Sequence, residues 1–496
     1  MLRGPVDFSA MTPRRLKGFR DLTAAEVLAR DRMIARIREV YERYGFVPLE
    51  TPVLEYVDVL GKFLPEADRP DAGIFAFRDE DQEWVALRYD LTAPLSRFVA
   101  MNPQLPLPYR RYQVGPVFRV DKPGPGRFRE FYQFDFDSVG TASMLADAEI
   151  CMVMGDTLEA LGIRVGEFLV RVNNRKVLNG VLETMSAAGP PAAGLHVLRS
   201  IDKLDRVGME GVKQLLGPGR RDESGDFAKG VGLSAQQIEV VMAYLTIPVG
   251  RRREVCDQLS RLVKGSKVGA EGVRELHEID EALQTAGYGE DRVVFDPTVV
   301  RGLAYYTGPV FEAVLTFSST DEDGATKQFG SVVGGGRYDD LVERFTERKM
   351  PATGASIGVD RLLAALLALK KIDVNPTTAP VLVTRLDAAL LGEYQRLASE
   401  LRSAGINAEL YVGNQGIGKQ FKYASDSGKT VAVILGPEER AAGTVALKDL
   451  RLGAELSGNI GGDRKKWLED QPAQFTVPRS SLMAAVRQVL SRYYLG

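Results

Sequence analysis

The chain has 496 residues and a formal net charge of −2, which leaves room for about three domains. It is not basic all over, although a local basic face for RNA depends on distribution and not on totals. Its 45% hydrophobic and 26% charged residues suit a globular protein with a sizeable core and exclude a disordered chain.

The segment 21–46 reads as a helix with both ends marked. Thr23 and Glu26 form a capping box, Ile34, Ile37, Tyr41 and Tyr44 share one face, and Gly45 stands at the C-terminal cap. A short strand, FVPLETP, follows and ends at Pro52. Residues 83–101 give a strand and then a helix, with Asp90 to Thr92 at the junction. Residues 110–140 give two runs of period-two alternation around a KPGPGR loop, the pattern of a hairpin. In the second run Phe131, Gln133, Asp135 and Asp137 share one face, and Tyr132, Phe134 and Phe136 share the other. A strand that presents acids and an amide on one face is a candidate site wall.

A helix over 142–163 and a strand over 167–174 come next. From about 185 to 290 the chain changes to short amphipathic, charge-rich helices, which reads as a helical insertion. The strand pattern returns over 293–315. SVVGGGRYDDLVERF reads as a strand, a glycine run and a helix, and ATGASIGVDRLLAALLAL as a small-residue strand followed by a helix from near Asp360. KKIDVNPTTAP is a linker, after which strands and helices alternate as in a compact α/β domain. The N-terminal stretch has no signal-peptide core, and the most apolar run, 362–369, is far short of a membrane span. Cys151 and Cys256 are too few for a disulfide framework and have no metal-ligand spacing, so a reducing, cytoplasmic setting without membrane contact is expected.

His196 and His277 are the two histidines, both in ordinary helical contexts. Chemistry built on an imidazole base is therefore not expected, and carboxylates, cations and backbone groups must carry it. Arg119 ends an apolar strand beside a Pro/Gly loop, where a guanidinium suits a nucleotide phosphate or, equally, a surface salt bridge. Arg301, set among valines and tyrosines in VVRGLAYYTGPVF, must meet an anion, either a structural carboxylate or a ligand phosphate. Arg361 follows a small-residue strand that leaves room for a flat ring, or packs tightly for its own sake. GGGR at 334–337 is a weak signal, and no P-loop and no GxGxxG after a first strand is present, so the common phosphate-binding folds are disfavoured. Asp90, Gln133 and Asp137 supply acceptors for an ammonium or a polar side chain.

Taken together and in this order, the segments resemble class II aminoacyl-tRNA synthetases. VVRGLAYYTGPVF and VVGGGRYDDLV are similar to the two signature segments of histidyl-tRNA synthetases, and LRYDLTAPLSRFVAM and FREFYQFDFDSVG are close to that family too. GKQFKYASDSG and GTVALKDLRLG resemble its C-terminal anticodon-binding domain. The resemblance implies an α+β catalytic core over 1–375, with a mixed, mainly antiparallel sheet of six to seven strands flanked by helices and a helical insertion at about 185–290. An anticodon-binding α/β domain over 380–496 would follow.

For the site, the resemblance implies that Asp90, Leu91 and Thr92, with Gln133, hold the amino acid's α-amino end. Asp137 and Tyr306 would read an imidazole, with Tyr305 helping to line the pocket. Arg119 and Arg301 would contact the α-phosphate of ATP and act as the catalytic pair, and Arg127 and Arg361 would hold the rest of the nucleotide. The implied substrates are L-histidine, ATP and tRNA(His), with Mg2+ on the pyrophosphate end. A cytoplasmic homodimer is implied, with Pro52 at its interface. Two departures stand out: Ala304 replaces a common acid, and RVDKPGPGR lacks the His-Glu pair of many bacterial members, so these stretches look more like the eukaryotic branch. The rival reading is a histidine-binding regulatory paralogue of ATP phosphoribosyltransferase, which typically lacks both the signature arginine and the C-terminal domain.

Overall fold

A computed structural model describes residues 12–61, 73–124, 127–185, 191–221, 225–300, 306–320, 326–346, 348–372, 374–458 and 473–493. The chain divides into two compact units, residues 1–21 with 30–373, and residues 22–29 with 374–496.

The first unit is built on an eight-stranded sheet. Its strands are β1 (Val47–Pro48), β2 (Tyr109–Phe118), β3 (Glu130–Val139), β4 (Phe168–Asn174), β5 (Val293–Phe295), β6 (Pro309–Leu315), β7 (Ser331–Arg337) and β8 (Ala352–Gly358). Their spatial order is β1-β2-β3-β8-β7-β6-β4-β5. All neighbours run antiparallel except the two edge strands, β1 on β2 and β5 on β4. The expected mainly antiparallel sheet is thus present, with one strand more than the six to seven anticipated.

The helix expected over 21–46 is α1 (Ala24–Arg43), and the Thr23 backbone N–H donates to the Glu26 carboxylate at 2.8 Å. Ile37 and Tyr41 are fully buried, and the Tyr41 ring lies 4.8 and 4.6 Å from those of Phe134 and Phe136. The outer face of β3 is therefore the aromatic one, clamped by α1, and its other face looks toward the interior of the site. α2 (Thr92–Met101) follows the strand Trp84–Leu87 at the expected junction, α3 (Met144–Ala160) follows β3, and α4 (Val359–Ala368) follows β8.

Three expectations differ from the structure. Only Val47–Pro48 of FVPLETP joins the ladder, because Pro48 and Pro52 have no N–H to continue it. The glycine run 334–336 is not a bend but lies inside β7, paired with β8 through Gly334↔Ser356 and Gly336↔Gly354. YDDLVERF is a series of turns rather than a helix; burial of Leu341 and Val342 against Leu95 and Val99 stands in for helical hydrogen bonding. Val299 and Val300 are buried but not in a strand, since the Asp296 carboxylate turns the chain by accepting the Thr298 N–H at 2.9 Å.

Between 185 and 290 the described residues form helices Pro191–Ile201, Leu204–Leu216, Ala235–Leu245, Arg252–Leu262 and Lys267–Thr285, with a small hairpin between Gly219–Arg221 and Phe227–Lys229. Arg252 is fully buried and pins this region: it bonds the Asp280 carboxylate at 2.6 Å and the carbonyls of Val293 and Tyr288 at 2.8 and 3.0 Å.

The second unit carries a five-stranded sheet of β9 (Val381–Val383), β10 (Ala408–Leu410), β11 (Val431–Ile434), β12 (Thr444–Asp449) and β13 (Gln474–Pro478), ordered β10-β9-β11-β12-β13. The first three run parallel and the last two antiparallel. Helices Leu391–Ser403 and Leu482–Leu490 cover one face, where Tyr394, Leu397, Leu401 and Val486 are completely buried. This is the α/β domain that the strand–helix alternation implied.

Candidate active site

A cleft of about 690 Å³ opens in the first unit. Its lining includes Asp90 and Thr92, Arg119 and Arg127, Phe131, Gln133 and Asp135 of β3, Tyr306, Gly334 of β7, Ser356 and Gly358 of β8, and Asp360 and Arg361 of α4. Residues more than 250 positions apart in sequence thus meet on one surface. Arg206, from the inserted helices, also lines it, and no sequence signal marked that residue.

Antiparallel pairing explains the convergence. β8 lies against β3 with Gly358↔Gln133, Ser356↔Asp135 and Gly354↔Asp137 in register, so small residues face the polar run of β3 and leave space above it. Gly336 works the same way on β7: a Cβ there would come within 2.8 Å of the Tyr306 ring, so its absence lets that ring lie on the strand.

Each cation is held before any ligand arrives. Arg119 donates from Nε to the Tyr89 carbonyl at 3.1 Å and sits 5.0 Å from the centre of the Phe131 ring. Arg361 donates to the Ser331 carbonyl at 2.7 Å. Arg127 pairs with Asp121 at 2.8 Å, an exposed contact that a phosphate could replace. Asp360 receives the guanidinium of Arg20 and the Tyr132 N–H, the latter at 2.8 Å, which fixes the start of α4.

The acceptors are equally fixed. Asp90 Oδ1 takes the N–H groups of Thr92 and Ala93 at 3.2 and 3.0 Å at the start of α2. Burial raises its pKa, against the opposing pull of those N–H groups and of Arg119. Gln133 donates from Nε2 to the Ser356 hydroxyl at 2.7 Å, and its Oε1 is buried with no hydrogen-bond partner among the described residues. An amide acceptor left bare in a polar cleft is suited to a ligand N–H donor.

Two expected residues do not line the cleft. Leu91 is completely buried, and its carbonyl accepts from Arg111 at 3.0 Å. Asp137 is 2% exposed, lies 2.9 Å from the Arg111 guanidinium and accepts the Tyr338 hydroxyl. Its place on the same face as Gln133 was read correctly, but β8 closes over it. Asp135, one step nearer the opening, lines the cleft instead. Arg301 and Tyr305 lie outside the described residues. The described residues hold no group of three His, Cys, Asp or Glu side chains able to bind a metal ion. No helix among them is long and apolar enough to cross a membrane.

A mainly antiparallel sheet with an arginine-lined cleft, carried on one chain with a separate α/β unit, is the arrangement of a class II aminoacyl-tRNA synthetase. A family model described as histidyl-tRNA synthetase matches residues 18–362, and one described as an anticodon binding domain matches residues 378–488. The chain is 54% identical over 493 residues to a histidine–tRNA ligase of Rhizobium rhizogenes, covering 98% of this chain and 97% of the relative. It is also 54% identical to the histidine–tRNA ligase of Cereibacter sphaeroides over 484 residues, covering 96% and 97%. Among solved structures, histidyl-tRNA synthetase from Nostoc sp. PCC 7120 superposes with a TM-score of 0.75 at 30% identity, over 98% of this chain and 100% of the other. The chain belongs to the histidyl-tRNA synthetase family.

Proposed function

We propose that the first unit activates L-histidine with ATP to histidyl-adenylate and pyrophosphate, and then transfers histidine to the 3′-terminal adenosine of tRNA(His). Catalytic work is assigned to residues 1–375, with the insertion at about 185–290, and anticodon binding to residues 380–496. The observation that carries the reading is a single cleft where Arg119, Arg127 and Arg361 stand beside the bare acceptor of Gln133. An amino acid's ammonium and a nucleotide's phosphates need these opposite chemistries a few ångströms apart.

In this reading Gln133, Asp90 and Thr92 take the histidine ammonium, and Tyr306, with Tyr305, packs along the side chain. Arg119 and Arg301 flank the α-phosphate, and Arg127 and Arg361 hold the remainder of ATP. The histidine carboxylate attacks the α-phosphorus, a P–O bond to it forms, and the bond to the pyrophosphate oxygen breaks. Two anions must approach each other, so guanidinium groups fixed in advance offset the repulsion and stabilise the charge that gathers on the phosphorus oxygens. No base is required, because the attacking carboxylate is already ionised. Magnesium arrives with the phosphates of ATP, as part of the nucleotide substrate. The chain acts as a homodimer in the cytoplasm; exposed Val53, Leu54 and Tyr56 next to Pro52 offer an apolar surface for self-association.

ATP–pyrophosphate exchange across a panel of amino acids tests this. Histidine alone should support exchange, and Arg119→Ala and Arg301→Ala should each lower it by on the order of a hundredfold or more with folding intact. Histidine binding without exchange would favour the regulatory paralogue, and exchange with another amino acid would sink the assignment.

A further inference from the structure

We infer that Asp135, and not Asp137, is the carboxylate that reads the ring of the amino acid in this cleft and sets its selectivity. The inference rests on the proposed histidine activation and names the residue that distinguishes this substrate from others.

The argument starts from the geometry of β3. Gln133, Asp135 and Asp137 project from the same face. Along a strand, residues two apart on one face are about 7 Å from each other. Phe131, at the outer end of this row, packs against Arg119 and so marks the phosphate end of the cleft. Gln133 is the next position inward, with its bare Oε1. Asp135 is the next again, about 7 Å deeper. An amino acid whose ammonium meets Gln133 and Asp90, and whose carboxylate faces Arg119, must point its side chain along this row toward Asp135. The span of a histidine from its α-nitrogen to its ring nitrogens is of this order.

Asp135 is poised to receive it. It lines the cleft and is 2% exposed, and its Oδ1 is buried with no hydrogen-bond partner among the described residues. The Ser356 hydroxyl, which accepts from Gln133, in turn hydrogen-bonds the Asp135 carboxylate. Gln133, Ser356 and Asp135 therefore form one chain, which holds the amide oxygen and one carboxylate oxygen free for a ligand. A buried acceptor with a vacant lone pair is costly unless a donor completes it, and a ring N–H is such a donor.

Asp137 cannot take this role. Arg111 and Tyr338 occupy its two oxygens. A Cβ at Gly354 would approach Asp137 Oδ1 to 2.1 Å, which shows how closely β8 seals it. Its part is positioning. One cation, Arg111, lies between two carboxylates, and the pKa of Asp135 is raised by burial and by Asp137 against the pull of Arg111. Arg88, Asp90 and Tyr41 complete the charged and titratable surroundings of the pair. The cluster carries more negative than positive charge at its buried end, which favours a ligand that brings hydrogen-bond donors or a proton over a neutral aliphatic one.

The test uses the full-length chain and ATP–pyrophosphate exchange with L-histidine and with the two ring-N-methylated histidines. Asp135→Asn keeps the shape and removes the charge, and Asp135→Ala removes the acceptor. Both should raise KM for histidine on the order of tenfold or more, as expected for losing a hydrogen bond to a charged group, while KM for ATP stays within about twofold. Asp135→Ala should also narrow the discrimination between histidine and the analogue methylated on the contacted nitrogen, and Asp135→Glu should restore part of the affinity. Thermal melting and ATP binding report whether each variant is folded. An unchanged KM for histidine in folded Asp135→Ala, or a selectivity that shifts in Asp137→Asn and not in Asp135→Asn, overturns the inference. Failure of the unmodified chain to exchange with histidine would instead remove the underlying assignment.

Discussion

Gly354 and Asp137 face each other across β8 and β3, and the carboxylate fills the space that a side chain on the glycine would need. The clash involves a buried carboxylate held by Arg111 and Tyr338, so it has no easy relief. Gly354→Ala should lower unfolding stability by about 1–3 kcal/mol, the usual range for overpacking. Gly392, in the helix Leu391–Ser403, has nothing within 4 Å of an added Cβ. Gly392→Ala should leave stability unchanged or raise it by up to ~1 kcal/mol. Urea unfolding of the two variants side by side makes the comparison, and equal stabilities would contradict the packing described.

Arg252 and Asp280 tie the inserted helices together from positions that are 0% and 4% exposed. Asp280→Ala leaves a buried guanidinium with only carbonyl partners, which should cost about 3–5 kcal/mol. The exchange rate of the folded fraction should be unaffected, because neither residue lines the cleft. Chemical denaturation combined with active-site titration separates the two effects.

Cys151 and Cys256 are both completely buried. Burial pushes the Cys256 thiol up to about 12 and raises Cys151 further in the same direction. A raised thiol pKa keeps the unreactive protonated form, so moving from pH 7 to pH 9 should not expose a thiolate. The native chain should therefore show no reaction with Ellman's reagent across that range, and two thiols per chain after denaturation. Labelling of the folded chain at pH 9 would show that one of these helices opens.

Much of this was readable along the chain because it depends on near neighbours. The Thr23–Glu26 cap, the hairpin around KPGPGR and the turn from small-residue strand to helix at Asp360 are local patterns, and each formed where expected. The alternation of β3 also placed its acids and amide on one face correctly. The glycine run misled because a local reading treats three glycines as a bend. Their use here is to bring β7 close to β8 and to Tyr306, and those partners are distant in sequence.

The sequence by itself determined the family, the order of the elements and the set of arginines and acceptors available for a nucleotide and an amino acid, since these follow from residue type and short-range periodicity. Only the tertiary structure decided which acid of one strand face meets the cleft. Asp135 and Asp137 are equivalent by parity. Arg111 from β2, Tyr338 after β7 and the missing side chain of Gly354 bury one of them, while Ser356 leaves the other open. Those choices come from cross-strand register and close packing, which no stretch of the chain carries alone.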